Sequence, residues 1–91
     1  MIGEYCVVRT YSAGVHVGIV ESCHETAVIM TNARLIHSWD GAFSLNEISL
    51  TGVGPGSKLS KPVARIGLTE AIALIPCTPL ARKNLEEFRA A

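Results

Sequence analysis

A chain of 91 residues, 48% of them hydrophobic, is long enough for a single domain over residues 1–91 and no more. Eight basic and eight acidic residues give a formal net charge of zero, which disfavours a protein that coats nucleic acid, because counterion release from phosphates needs a positive field. The apolar content is high for so small a domain. Surplus apolar surface usually marks an interface, so we expect a homo-oligomer; a well-packed monomer rich in Val and Ile is the alternative.

The cysteines and the hydropathy pattern exclude further classes. Cys6, Cys23 and Cys77 are odd in number and widely spaced, which favours neither a disulfide framework nor a zinc site. Three reduced thiols fit the cytoplasm. No signal peptide is recognisable, and no apolar run approaches the roughly 20 residues needed to span a bilayer. We therefore expect no metal, no cofactor and no membrane association.

The first half of the chain predicts three consecutive strands. They run over Glu4 to Tyr11, Val15 to Cys23 and Ala27 to Trp39, with alternate side chains on opposite faces. Ser12-Ala13-Gly14 suits a three-residue hairpin loop closed by a left-handed glycine. The three strands form a meander.

Two residues interrupt the strand pattern. Gly18 weakens a strand interior and indicates a bend or a close approach of another segment to the backbone. Asn32 in the third strand indicates a bulge that reorients the second half of that strand.

A short helix is predicted over 45–51. Ser44 and Glu47 have the spacing of a capping box, in which the Ser44 hydroxyl accepts from the Glu47 amide and the Glu47 carboxylate reaches back to Ser44. Phe43 and Ile48 are spaced for a hydrophobic staple.

The second half of the chain begins with Gly52 to Lys61, a Gly- and Ser-rich stretch that we interpret as a plain connection. Val63 to Leu68 and Ala71 to Pro76 predict two short strands. Thr78-Pro79 starts a second helix, whose apolar face comprises Ala81, Leu85 and Phe88. The predicted order is β-β-β-α-β-β-α, an α+β and mostly β domain built on a small bent antiparallel sheet or a partly open barrel.

Five residues predict a binding site: Arg9, Tyr11, His16, Arg34 and Trp39. Arginine bonds phosphate or carboxylate with a planar fork and stacks on flat rings. Tyrosine and tryptophan offer faces on which a base stacks. Together they indicate a pocket for an anionic, aromatic small molecule such as a nucleotide. For each residue taken singly, packing in the core, burial at an interface or a surface ion pair is the alternative.

Arg9 carries a particular expectation, since it lies on the strand face of Tyr5 and Val7. An unpaired charge there is costly. It requires an acidic partner such as Glu21 or Glu47, a neighbouring subunit or a bound anion.

A catalytic set is not recognisable. His16, His24 and His37 are the only candidate bases near neutral pH, no serine stands in a nucleophile motif, and the carboxylates are scattered singly. We expect no enzyme.

Three segments resemble a family of small proteins encoded by tailed bacteriophages. Val8 to Gly18 (VRTYSAGVHVG) resembles the family's N-terminal signature, residues 33–45 its second block, and Ile66 to Thr78 its third. The resemblance implies an accessory protein in the cytoplasm of an infected bacterium. By analogy with other small phage proteins, it implies a homo-oligomeric sponge that sequesters a cyclic-nucleotide or ADP-ribose-type immune signal.

Two alternatives remain open. One is an inhibitor that docks on a host enzyme through a strand edge or the Trp39 region. The other is an RNA-binding barrel, since Gly14 and Gly18 ahead of an apolar strand resemble Sm-like rings in outline, although the second Sm-type motif is missing.

Overall fold

Six strands and two helices make up the structure, a computed structural model that describes residues 1–91. In chain order the elements are β1 (Tyr5–Thr10), β2 (Val15–His24), β3 (Ala27–Ser38), α1 (Leu45–Thr51), β4 (Lys58–Leu59), β5 (Val63–Leu68), β6 (Ala71–Pro76) and α2 (Pro79–Glu87).

The strands form one antiparallel sheet in the order β4-β3-β2-β1-β6, and β5 pairs with the first half of β3. Although β5 and β6 are consecutive along the chain, they join opposite sides of the sheet, so the sheet bends round without closing. The predicted α+β, mostly β fold with a bent, open sheet is confirmed, and β4 is the one element added to the predicted order.

Each face of the sheet covers its own apolar core, as the alternation of β1 and β2 predicts. The first core lies between the sheet and both helices, and it consists of Tyr5, Val7, Val17, Ile36, Ile48, Val53, Leu59 and Leu85. The second lies inside the bend of the sheet, and it consists of Cys6, Val8, Val20, Val28, Met30, Ala33 and Leu68. Because β1 contributes to both cores, almost all of it is buried.

The predicted irregularities in the hairpins are confirmed. Asn32 has a φ of 49°, and the pairing of β2 with β3 gains one residue on β3 beside it, which is a bulge. Gly18 lies opposite this bulge. A Cβ at Gly18 would stand 2.9 Å from the carbonyl oxygen of Thr31 and 3.0 Å from the Cα of Ala33, so close backbone approach is the reason for the glycine.

The first helix begins as predicted but without the staple. The Ser44 hydroxyl accepts from the Glu47 amide at 3.3 Å, whereas the Glu47 carboxylate accepts from the Phe43 amide at 3.1 Å, not from Ser44. Ile48 is fully buried and Phe43 is 95% exposed. The predicted contact between Phe43 and Ile48 is therefore wrong, because the chain enters the helix with Phe43 directed into solvent.

The stretch predicted as a plain connection contains β4. Leu59 lies opposite Ile36 of β3 and is fully buried, so burial of one leucine fixes a two-residue strand in a Gly-rich segment. The amide of Gly54 also donates to the carbonyl of Asp40 at 2.7 Å.

The second helix packs against α1 and the sheet. The Thr78 hydroxyl accepts from the Ala81 amide at 3.1 Å, and Pro79 occupies the first helical position, as predicted. Ala81 and Leu85 are fully buried, and Phe88 packs against the same core. Neither helix is long and apolar enough to cross a membrane.

Candidate functional site

The five residues predicted to form a site occupy different surroundings in the single chain. Arg9 and Tyr11 are exposed at the end of β1, and Trp39, just after β3, is 37% exposed. His16 is buried on the face of β2 that looks into the second core, opposite Val8. Arg34 is buried on the helix-covered face of β3. The chain does not bring the five together in one pocket.

The expectation that Arg9 needs a compensating partner is corrected by its position. Its side chain is exposed, and it takes part in no ion pair. Glu21 pairs with Arg65 at 2.7 Å instead, and Glu47 caps α1. Water solvates the guanidinium at the end of the strand, so no burial cost arises.

Arg34 is a buried cation that stabilises the fold through hydrogen bonds, and one of its nitrogen atoms has no protein partner. It is only 3% exposed. Its Nε donates to the carbonyl of Ser60 at 2.8 Å and its Nη1 donates to the carbonyl of Leu85 at 2.7 Å. Nη2 has no protein partner. Arg34 thus joins β3, the segment after β4 and the end of α2, and it retains donor capacity on one side.

Tyr5 supplies a second unpaired polar group near Arg34. The residue is only 3% exposed, and its hydroxyl is buried with no hydrogen-bond partner. Burial raises the pKa of Tyr5, and the charge of Glu86 raises it further against the opposing influence of Arg34. The phenol is therefore neutral at physiological pH and can donate a hydrogen bond. A buried hydroxyl without a protein partner is uncommon in native structures, and it leaves Tyr5 with an unused donor.

A cavity of about 140 Å³ joins these groups. It is lined by Tyr5, Asn32, Arg34, Pro62 and Glu86. The bulge at Asn32 explains its place, because the extra residue shifts the register of β3 immediately before Arg34. The walls come from Tyr5 of β1, from Asn32 and Arg34 of β3 and from Glu86 of α2. This polar cavity, hereafter the Arg34 cavity, is the candidate site.

A second arginine lies over the Tyr5 ring. The guanidinium carbon of Arg82 is 5.3 Å from the ring centroid, which is the range of a cation–π contact. Arg82 also donates from Nε to Glu86 at 3.0 Å and from Nη2 to the other carboxylate oxygen at 3.4 Å. Glu86 is thereby held at the edge of the cavity.

His16 is the other residue with an unpaired buried polar atom. Its Nδ1 is buried without a partner, and burial lowers its pKa. Val8 and Leu35 lie opposite it on the two neighbouring strands. These apolar neighbours describe a core histidine. It lies one position from Arg34 in register, since its neighbour Val17 pairs with Arg34, but its side chain is on the opposite face of the sheet.

The rest of the chemistry-bearing side chains form no comparable cluster. No group of three or more His, Cys, Asp or Glu side chains is arranged to hold a metal ion. Burial raises the pKa of Cys6 to about 11 and that of Cys77 to about 12, so both thiols are protonated at physiological pH and are poor nucleophiles.

The structure thus defines a small α+β domain with an open antiparallel sheet and a polar cavity beside its second helix. The profile of a domain of unknown function, DUF6948, matches residues 3–85, and the chain belongs to this family. Neither the curated proteins nor the solved structures give a match.

Sequence reasoning found Arg34 but missed the residues around it. Tyr5 was placed correctly on the face of Val7, yet nothing local shows that its hydroxyl lacks a partner. Arg82 and Glu86 are spaced at i and i+4, as in a helix ion pair. That spacing is the one feature of the sequence that points to these two residues. Their approach to Tyr5 depends on how α2 docks on the sheet.

Proposed function

We propose that this chain is a non-enzymatic binding protein that holds a small nucleotide-type ligand, with one polar group of the ligand in the Arg34 cavity. The observation that carries the proposal is a small cavity lined by Arg34 and Tyr5, in which Arg34 Nη2 has no protein partner and the buried Tyr5 hydroxyl next to it is unpaired. A ligand group that accepts from Nη2 gains a charge-assisted bond, and one that also reached the Tyr5 hydroxyl would relieve the cost of leaving that buried group unpaired.

The cavity is small relative to a whole nucleotide. A site for a drug-sized ligand is typically about 300–1,000 Å³, whereas this cavity is about 140 Å³. One group of the ligand enters, therefore, and the remainder lies outside. A second cleft that Tyr5 also lines includes Gly3, Thr78 and Arg82, and we assign the remainder of the ligand to it.

The biological setting follows from the resemblance to small proteins of tailed phages. We propose that the protein works in the cytoplasm of an infected bacterium and counters defence by sequestering a cyclic-nucleotide or ADP-ribose-type signal. Binding without turnover suits such a sponge, because a sequestering protein needs affinity and abundance but no reacting groups.

The test compares the wild-type chain with Tyr5→Phe, which removes only the hydroxyl. Both proteins are purified, their folding is checked by circular dichroism, and cyclic nucleotides and ADP-ribose are titrated by calorimetry. We expect a ligand whose affinity for Tyr5→Phe is about tenfold lower, the value of a hydrogen bond lost from a buried site. Equal binding to both proteins would remove the Arg34 cavity from the site.

A second candidate, docking on a host protein, is favoured by exposed leucines on the two helices. Leu50 is 57% exposed and Leu80 is 63% exposed, and the Thr78 hydroxyl donates to the Leu50 carbonyl at 2.7 Å, which holds the two segments together. The same apolar surface would serve the expected homo-oligomer.

Light scattering separates self-association from a monomer. Leu80→Asp in a pull-down from host lysate tests whether any captured protein uses this surface.

A further inference from the structure

We propose that two copies of this chain associate through the outer edge of β5, which pairs antiparallel with β5 of the second copy around a two-fold axis. The proposal does not depend on ligand binding at the Arg34 cavity, and it names the surface through which the expected homo-oligomer forms. That surface is an edge of the sheet, separate from the exposed leucines of the two helices.

The sheet has three outer strands, and the edges of two of them are closed to a further strand. Beside β4, Leu59 forms a parallel bridge with Ala90, and its carbonyl accepts from the amide of Ala91 at 2.9 Å. The strand β6 contains one extra residue relative to β1, and it ends at Pro76, which has no N–H to donate. Bulges and prolines are devices that keep further strands from pairing with an edge.

The strand β5 presents an uninterrupted edge. It pairs with β3 on one side only, so the backbone groups on its other side have no strand partner over residues 63–68. Most of the strand is exposed, and the side chain of Val63 is 47% exposed. An exposed apolar edge of this kind is a template for pairing with another chain.

The only charged residue of β5 does not protect this edge. Arg65 donates to Glu21 Oε2 from Nη2 at 2.7 Å and from Nε at 3.2 Å. Since Glu21 belongs to β2 and β3 lies between β2 and β5, the Arg65 side chain crosses β3 toward the centre of the sheet. The guanidinium is therefore directed away from the free edge, and Glu21 neutralises its charge.

The charges at the two ends of β5 favour a second copy in the antiparallel sense. Lys61 precedes the strand and Glu70 follows it, both are exposed, and neither takes part in an ion pair. Antiparallel pairing of β5 with itself places the start of each strand beside the end of the other. Lys61 of each copy then lies at the end that carries Glu70 of the other copy, so opposite charges meet at both ends.

Other occupants of this edge lack that complementarity. Parallel pairing with a second copy would bring like charges together at both ends, which is destabilising. A nucleic acid would find no positive field, because the chain has a net charge of zero. Two-fold pairing also uses the β5 edge of both copies, so association through this surface stops at a dimer.

Three lysine substitutions in the full chain test the surface. Val63→Lys places a charge on β5, whereas Ile72→Lys on β6 and Leu80→Lys on α2 are matched controls, because all three side chains are exposed and apolar. Each variant is first shown by circular dichroism to be folded. Sedimentation equilibrium over a wide range of protein concentration then gives the dissociation constant of the dimer.

The expected result is a wild-type dimer that Val63→Lys weakens by at least about tenfold, because lysines on an edge oppose strand pairing. Neither control variant should change the dissociation constant. Lys61→Glu should weaken the dimer as well. Combining Lys61→Glu with Glu70→Lys should restore it, because the double variant exchanges the two charges of each pair.

Hydrogen exchange of the wild-type protein provides a readout that needs no substitution. Those amides of β5 that point away from β3 should exchange quickly in dilute protein and slowly at concentrations where the dimer forms. A chain that stays monomeric, or a dimer that Leu80→Lys dissociates and Val63→Lys does not, would overturn the proposal. A double variant as weak as Lys61→Glu would contradict the antiparallel sense. Ligand binding at the Arg34 cavity is judged separately by Tyr5→Phe, so either proposal can fail without the other.

Discussion

Nη1 of Arg34 donates to the main-chain carbonyl of Leu85 at 2.7 Å, so a cation from β3 meets the last turn of α2. The C-terminal end of a helix carries partial negative charge, and cations stabilise it. The last turn of α2 contains no basic residue of its own. Arg34 fills this role from a distant part of the chain, and the same side chain supplies the free nitrogen of the cavity.

Replacing Arg34 is expected to destabilise the fold, whatever it does to binding. Arg34→Met removes two charge-assisted hydrogen bonds and leaves the carbonyls of Ser60 and Leu85 buried near an apolar side chain. At about 1.5–3 kcal/mol for each bond to a charged group, the free energy of unfolding should fall by at least about 3 kcal/mol in a urea titration. Arg34→Lys should be intermediate, because it keeps the charge but not the planar geometry. An unchanged midpoint for Arg34→Met would show that these bonds contribute nothing to stability.

Two strand glycines offer a matched comparison. A Cβ at Gly18 would meet the Thr31 carbonyl oxygen at 2.9 Å, whereas a Cβ at Gly67 has no atom within 4 Å. Gly18→Ala should therefore lower the free energy of unfolding by about 1–3 kcal/mol, as overpacking does. Gly67→Ala should change it by less than about 0.5 kcal/mol, as is usual for surface substitutions. Equal effects in chemical denaturation would mean that β2 and β3 lie farther apart than described.

Tyr5→Phe should stabilise the unliganded protein while it weakens ligand binding. The Tyr5 hydroxyl is buried without a partner, and an unsatisfied buried polar group costs about 1–3 kcal/mol. We expect a thermal midpoint that is higher than that of the wild type in the absence of ligand. A clear loss of stability would indicate that the hydroxyl already has a strong partner, and the reason for assigning it to a ligand would disappear.

His16 should make stability depend on pH. Burial lowers its pKa in the folded chain, whereas an unfolded histidine titrates near 6.5. Between these two pKa values the unfolded chain binds more protons than the folded chain. The contribution of His16 to the free energy of unfolding is therefore fully present above about pH 6.5, and it is lost as the pH falls toward the pKa of His16 in the folded chain. The slope contributed by one group is at most about 1.4 kcal/mol per pH unit.

Urea midpoints measured from pH 8 to pH 5 test this expectation. His16→Leu should flatten the profile, and His37→Gln, a change at the exposed end of β3, should leave it as in the wild type. A profile that stays equally steep in His16→Leu would assign the pH dependence to another group.

The elements of this fold are predictable from sequence where their signals are local. The alternation of side chains along a strand correctly predicts the face of the sheet on which each residue of β1 and β2 lies. The pair Thr78-Pro79 correctly predicts the start of α2. The pair Lys58 and Leu59 has no such signal. A strand of two residues is too short to show an alternation of apolar and polar side chains. It exists only because Leu59 packs under α2 opposite Ile36.

The site was only partly predictable for the same reason. Arg34 stood out as a charge beside a bulge, and the structure places it at the cavity. Alternation also gave Arg9 the correct face, but it does not show that the end of that strand is open to water. Tyr5 and Glu86 come to Arg34 from the two ends of the chain, and no spacing in the sequence records that approach.

The most direct test of the central claim is a crystal structure of the wild-type protein soaked with cyclic nucleotides or with ADP-ribose. We predict electron density for one polar group of the ligand inside the Arg34 cavity, with an acceptor atom within hydrogen-bond distance of Arg34 Nη2. A ligand bound at Arg9 or Trp39, with the Arg34 cavity containing only water, would contradict the account.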